Sequence, residues 1–174
     1  PQCRLPPVPF ADTPPTVEIH WGGDSSDADS AHDGSPEATP APWPESSHVQ
    51  ATPMVANLDD DNGDGLINEL DFPENIFVTY AADNGDNESS ILRAIHGGGP
   101  SKGKDMFAVC SDVVWTEMAA FDTATTPCGP SQAELPSRNT AAIGDLDRDG
   151  TPEIVYVNAD GAIRILNNFG ATIY

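Results

Sequence analysis

A twelve-residue stretch, Asp60-Asp61-Asn62-Gly63-Asp64-Gly65-Leu66-Ile67-Asn68-Glu69-Leu70-Asp71, constrains this chain more than any other. Counted from Asp60, side-chain oxygens recur at positions 1, 3, 5, 9 and 12, on Asp60, Asn62, Asp64, Asn68 and Asp71. Gly65 stands at position 6, where a loop wound around a cation turns sharply, and the Leu66 carbonyl falls at position 7. Ca²⁺ is a hard cation taking about six to eight oxygens, so it asks for carboxylates and amides on alternate residues of a tight loop. The pattern predicts a Ca²⁺ site. A solvated acidic turn is the competing explanation, and Asp rather than Glu at position 12 makes bidentate closure less secure.

A shorter version follows at Asp145-Leu146-Asp147-Arg148-Asp149-Gly150-Thr151-Pro152-Glu153. Asp145, Asp147 and Asp149 alternate, Gly150 follows the third acid, the Thr151 carbonyl can contribute, and Glu153 stands at position 9. Tyr156 occupies position 12, so closure falls to Glu153 and water. An Asp-rich β-turn is the plainer alternative.

The flanks decide what the loops connect. Asn75-Ile76-Phe77-Val78-Thr79-Tyr80 follows the first and Glu153-Ile154-Val155-Tyr156-Val157 belongs to the end of the second. Both are β-branched and aromatic, hence strands rather than the exit helix of an EF-hand. Short apolar runs precede each loop, Pro53 to Leu58 and Ala141 to Gly144, and third strands are expected at Ile91–Ile95 and Ala162–Leu166 after Asn84-Gly85 and Asp160-Gly161 turns. Strand, acidic loop, strand, strand is thus repeated, and a repeated short antiparallel sheet points to a propeller.

Asn57-Leu58-Asp59 through Asp71, together with Ile143-Gly144-Asp145 through Val155, resemble the FG-GAP/VCBS repeats of integrin-α-like β-propellers, in the form found in large secreted bacterial proteins such as those of myxobacteria. The resemblance covers about residues 48–174. It implies an all-β fold of one and a half to two calcium-binding blades. These would follow a Pro/Asp/Ser-rich irregular segment, 1–47. The first blade, with a long connection, would span 48–136, and a second, incomplete blade 137–174. In that family Ca²⁺ sits between the first two strands of a four-stranded blade, which assigns Asp145, Asp147, Asp149, Thr151 and Glu153 to one ion. The first loop departs from the short family form by an insertion. A competing frame aligns Asn57, Asp59 and Asp61 with the three later aspartates, whereas the frame from Asp60 uses Gly65, Asn68 and Asp71. Such propellers close with about seven blades, so the remaining blades are expected from the same polypeptide or other subunits. The chain is expected to be a fragment or processed piece, with a further strand beginning at Ala171-Thr172-Ile173-Tyr174.

Charge supports a calcium-rich extracellular setting. Acids number 28 against 7 Lys plus Arg, and Leu5 to Leu92 holds no Lys or Arg at all. That surplus opposes binding to nucleic acid or anionic membranes, and its self-repulsion is relieved by bound cations. No apolar run is long enough for a membrane span. Cys110 and Cys128 flank the long connection; paired, they would close a loop of about 19 residues worth roughly 3 kcal/mol in the chain-entropy model. Cys3 would then be left over, and no close Cys/His pair has zinc spacing.

The first 50 residues hold 10 of the 17 prolines and read as linker or exposed loop. Within them Thr16-Val17-Glu18-Ile19-His20-Trp21 alternates like a strand that could complete a blade; an extended segment packing Trp21 on a neighbour is equally compatible. No catalytic constellation stands out: the histidines are scattered, and no G-x-S-x-G is present. Gly97-Gly98-Gly99-Pro100-Ser101-Lys102-Gly103-Lys104 lacks phosphate-loop spacing and reads as an inter-strand loop, while Asn87-Glu88-Ser89 is a lone glycosylation sequon. The sequence therefore favours a secreted or cell-surface calcium module, not an enzyme, serving adhesion, surface assembly, or carbohydrate or protein recognition. The alternative is a non-catalytic propeller scaffold of a larger secreted enzyme.

Overall fold

The computed structural model describes Trp21, Trp43 and residues 46–81, 90–110, 113–116 and 139–174. Nine strands, all antiparallel, make two sheets, and no helix occurs among the described residues. The first sheet comprises β1 (Ser46–Val49), β2 (Met54–Ala56), β3 (Glu74–Ala81), β4 (Ile91–Ile95), β5 (Asp105–Cys110) and β6 (Val113–Thr116). Its order is β1-β3-β4-β5-β6, with β2 also on β3. Strand β1 pairs with the far end of β3, at Thr79 to Ala81, and β2 with its start, at Glu74 to Ile76. One edge of the sheet is therefore covered by two short strands in line. The second sheet, β7 (Ala142–Gly144), β8 (Glu153–Val157) and β9 (Ile163–Leu166), has the order β7-β8-β9.

Period-2 alternation sorts the first sheet's side chains onto two faces, and both are covered. Ile76 and Val78 of β3, Leu92 and Ala94 of β4, and Phe107 and Val109 of β5 share one core with Ile154, Tyr156 and Leu166 of the second sheet. The intervening residues Ile91, Ala108 and Cys110 pack with Trp43 on the opposite face. Gly170 marks how closely the sheets meet: with φ +81°, its position would put an added Cβ 2.8 Å from both Phe107 Cδ2 and Val109 Cγ2. A hydrogen bond from Asn168 Nδ2 to the Leu58 carbonyl, 2.8 Å, also joins the second sheet's final turn to the first sheet's opening loop.

Arg93, the first cation after Arg4, is not a surface charge. It lies at 0% exposure on the Trp43 face, where Nε donates to Thr79 Oγ1 at 3.0 Å and Nη2 to the Trp43 carbonyl at 2.9 Å. Its guanidinium stands 5.1 Å from the Trp21 ring centroid and 3.5 Å from Asp105 Oδ1. Trp21 itself meets Phe77 edge-on at 4.9 Å. The packing of Trp21 on a neighbour is thus seen, while the rest of the expected strand 16–21 lies outside the described residues.

The first sheet is larger than expected. Strands β1, β5 and β6 extend it beyond the three strands read from the sequence, and β1 crosses the expected boundary at residue 47. Every residue of β5 is buried, so its sequence has no alternation to betray a strand. At the other end, the tail folds back on β9: Ile173 N–H donates to the Ile165 carbonyl at 2.8 Å, and Leu166 bridges Thr172. Cys110 is buried and disulfide-bonded, but Cys3 and Cys128 both lie outside the described residues, so pairing with Cys128 stays a proposal. The sequon 87–89 also lies outside them. Among the described residues, no helix is long and apolar enough to cross a membrane.

Candidate metal centres

Each acidic loop joins a three-residue strand to the strand antiparallel to it, 57–73 between β2 and β3 and 145–152 between β7 and β8. In the shorter loop, Asp145 organises the turn. Its Oδ1 accepts from the N–H groups of Arg148 (2.7 Å) and Asp149 (3.1 Å), and its Oδ2 from Gly150 (3.0 Å). Asp147 Oδ1 accepts from Asp149 N–H and Asp149 Oδ1 from Thr151 N–H, so each alternate acid curls over the backbone amide two residues on. Asp145, Asp147 and Glu153 bring one carboxylate oxygen each within 4.8 Å of one another.

The longer loop repeats this cage bond for bond from Asp60. Asp60 Oδ1 accepts from Gly63 (2.8 Å) and Asp64 (3.0 Å), and Oδ2 from Gly65 (2.7 Å). Asn62 Oδ1 accepts from Asp64 N–H and Asp64 Oδ1 from Leu66 N–H. Backbone signs agree too: positions 4 and 6 are left-handed in both loops, Gly63 (φ 76°) and Gly65 (φ 89°) matching Arg148 (φ 68°) and Gly150 (φ 92°). Beyond the shared part, Asp71 closes the longer loop by accepting from Asn68 N–H (2.8 Å) and Asn62 N–H (3.4 Å). Asn68 Nδ2 reaches Asp64 Oδ2 at 3.4 Å. Hydrogen bonds thus link the six residues read from the sequence, Leu66 through its N–H, while Asp60, Asp64 and Asp71 are not among the carboxylate groups that converge within 4.8 Å.

Strand register follows the other frame. Ala56 pairs with Glu74 as Gly144 pairs with Glu153. Glu74 Oε2 accepts from Leu58 N–H at 2.7 Å, just as Glu153 Oε2 accepts from Leu146 N–H at 2.8 Å. By register, then, Asn57, Leu58 and Asp59 stand where Asp145, Leu146 and Asp147 stand. In the short loop one residue, Asp145, both leaves the strand and organises the turn. In the long loop these roles are divided between Asn57 and Asp60, with Asn57 Nδ2 bonded to the Asn68 carbonyl.

Glu74 and His96 are the residues that sequence reasoning missed. The signal was present, since Pro73-Glu74 before Asn75-Ile76-Phe77-Val78 repeats Pro152-Glu153 before Ile154-Val155-Tyr156-Val157. Asp59, Glu74 and His96 each bring one ligand atom within 4.8 Å of the others, with Glu74 and His96 buried. The glycine run next to His96 has a packing reason. Gly97 and Gly98 lie directly against Pro73 and Phe72, where a Cβ would collide, so the β4–β5 connection braces the end of the long acidic loop.

Chemically, both acidic loops offer oxygen donors alone, as a hard cation requires, and the third cluster adds an imidazole. The class of protein so defined is an all-β chain of repeated antiparallel sheet units carrying acidic inter-strand loops. No family model matches the chain, and no curated protein does. Among solved structures, the V. cholerae biofilm matrix protein Bap1 is similar, with a TM-score of 0.56 and 29% identity over 76% of this chain. The match spans 18% of that protein's chain.

Proposed function

We propose that this chain contributes adjoining blades of an FG-GAP/VCBS-type β-propeller that Ca²⁺ stabilises, in an extracellular or cell-surface protein. Its role in that reading is non-catalytic: adhesion, surface assembly, or recognition of a glycan or protein partner. The observation that carries it is the duplicated hydrogen-bond cage, placed in both sheets between a three-residue strand and its antiparallel neighbour. Chance acidic turns have no reason to share five hydrogen bonds, two left-handed residues and one position in the sheet. Similarity to part of a biofilm matrix protein supports the extracellular, adhesive setting.

Calorimetric titration of the metal-free full chain with Ca²⁺ tests the calcium reading. Two sites are expected, one lost in Asp64→Ala and the other in Asp147→Ala; retention of both sites in either variant would overturn it. The assembly reading is tested by light scattering on residues 48–174. Blades lacking their neighbours leave strand edges that drive association. A monodisperse monomer with cooperative unfolding and protected outer-strand amides would instead mark a complete small domain.

A further inference from the structure

We propose that Asp59, Glu74 and His96 form a metal site of a different kind, selective for a divalent transition ion of the zinc class. The three residues come from separate elements: Asp59 from the start of the long loop, Glu74 from the first position of β3, and His96 from just beyond β4. Glu74 is wholly buried, and Leu58 N–H engages only its Oε2. Its Oε1 is buried, accepts no hydrogen bond, and lies 3.7 Å from His96 Nδ1. That separation is too long for a hydrogen bond but close to the ~3.4 Å expected between two donors of one tetrahedral zinc ion with bonds of about 2.0–2.1 Å.

Hydrogen bonds on both sides hold the His96 backbone in place. His96 N–H donates to the Lys104 carbonyl at 3.0 Å, and its carbonyl accepts from Gly103 N–H at 2.8 Å. Selectivity follows from the donors. An imidazole nitrogen suits zinc, nickel, iron or copper, whereas Ca²⁺ takes oxygens. Two carboxylates and one histidine leave a fourth position to water. Asp60, Asn62, Asp64, Asn68 and Asp71 contribute no ligand here, although Asp59 and Glu74 stand in register where Asp147 and Glu153 stand in the short loop. The inference rests on the Asp60 frame for the long loop's calcium, since the frame of Asn57, Asp59 and Asp61 would give Asp59 to that ion instead.

Co²⁺ serves as the spectroscopic probe for zinc, titrated into the full chain in buffer saturated with Ca²⁺. One equivalent is expected to give visible ligand-field bands in the wild-type protein. The same bands are expected in His48→Gln, which removes an exposed histidine, and in Asp64→Ala, which lowers Ca²⁺ uptake. In His96→Gln and Glu74→Gln the Co²⁺ affinity is expected to fall at least tenfold with Ca²⁺ uptake unchanged. Circular dichroism checks folding, and should His96→Gln not fold, Glu74→Gln carries the test, since its amide oxygen can still accept from Leu58 N–H. Absence of the bands in wild type, equal Co²⁺ affinity in a folded His96→Gln or Glu74→Gln, or displacement of Co²⁺ by added Ca²⁺ would each overturn the proposal.

Discussion

Replacing Asp147 and Asp145 by alanine in parallel separates the proposed cation ligand from the turn organiser. Asp147 Oδ1 accepts one backbone N–H, from Asp149 at 3.1 Å, whereas Asp145 accepts three, from Arg148, Asp149 and Gly150. A net hydrogen bond contributes about 0.5–1.5 kcal/mol, and these are solvent-exposed, so the lower end applies. In chelator, Asp147→Ala is therefore expected to lose about 0.5 kcal/mol and Asp145→Ala about 1.5–2 kcal/mol. On the calcium proposal, the ion would add a linkage contribution of about 2.7 kcal/mol at a concentration 100-fold above Kd, which both variants would forfeit. At roughly 3 °C per kcal/mol for a chain of this size, Asp147→Ala should shift Tm by about 10 °C in calcium and by 2 °C or less in chelator. Asp145→Ala should shift it under both conditions. Scanning calorimetry with and without chelator reads the difference. Equal losses for Asp147→Ala in both buffers would show that the acid serves only the turn, and the calcium reading of that loop would fail.

Gly170→Ala is expected to destabilise by about 2–5 kcal/mol, combining left-handed backbone strain with overpacking against Phe107 and Val109, whereas Gly161→Ala, with φ +85° and open space around it, should lose only about 1–2 kcal/mol; equal losses in urea melts would deny the close sheet contact. Burial holds the Asp105 carboxyl above its ordinary 3.8, against the pull of Arg93 at 3.5 Å. Such a group's contribution is fully present below the unfolded value and is lost as pH rises through the folded one. The stability of wild type relative to Asp105→Asn should therefore decline with rising pH in chelator, and a difference that grows would reverse the assignment. Non-reducing peptide mapping is expected to find Cys110 joined to Cys128; a Cys3–Cys110 peptide would instead tether the N-terminal segment to β5.

The strands that sequence reasoning located are those bounded by turn chemistry. Ile91–Ile95 and Glu153–Val157 occur with the expected limits because β-branched runs there stop at Gly, Asn and Asp. Asp105–Cys110 escaped because burial on both faces erases the polar half of the pattern, and Ser46–Val49 because a short edge strand needs only its backbone to pair. Arg93 reads as an ordinary charge in sequence; only the surrounding Thr79, Trp43 and Asp105 make it internal. The two frames for the long loop could not be resolved from spacing because each describes a real half of it. Register obeys Asn57 and Asp59, and the turn obeys Asp60, with the insertion lying between. His96 had no nearby ligand in the chain, so only the β3–β4 pairing brings it beside Glu74.

The bond between Asn168 and the Leu58 carbonyl links residues 110 positions apart. Contacts of such separation form late, because the intervening chain must first give up its freedom. During synthesis the β2–β5 hairpins can assemble from near neighbours while the Leu58 carbonyl waits for a partner not yet made. The final turn then acts as a latch, and its closing is a kinetic event separable from sheet formation. Asn168→Ala should leave early amide protection in β3 and β4 intact while accelerating unfolding, which places the latch on the native side of the folding barrier.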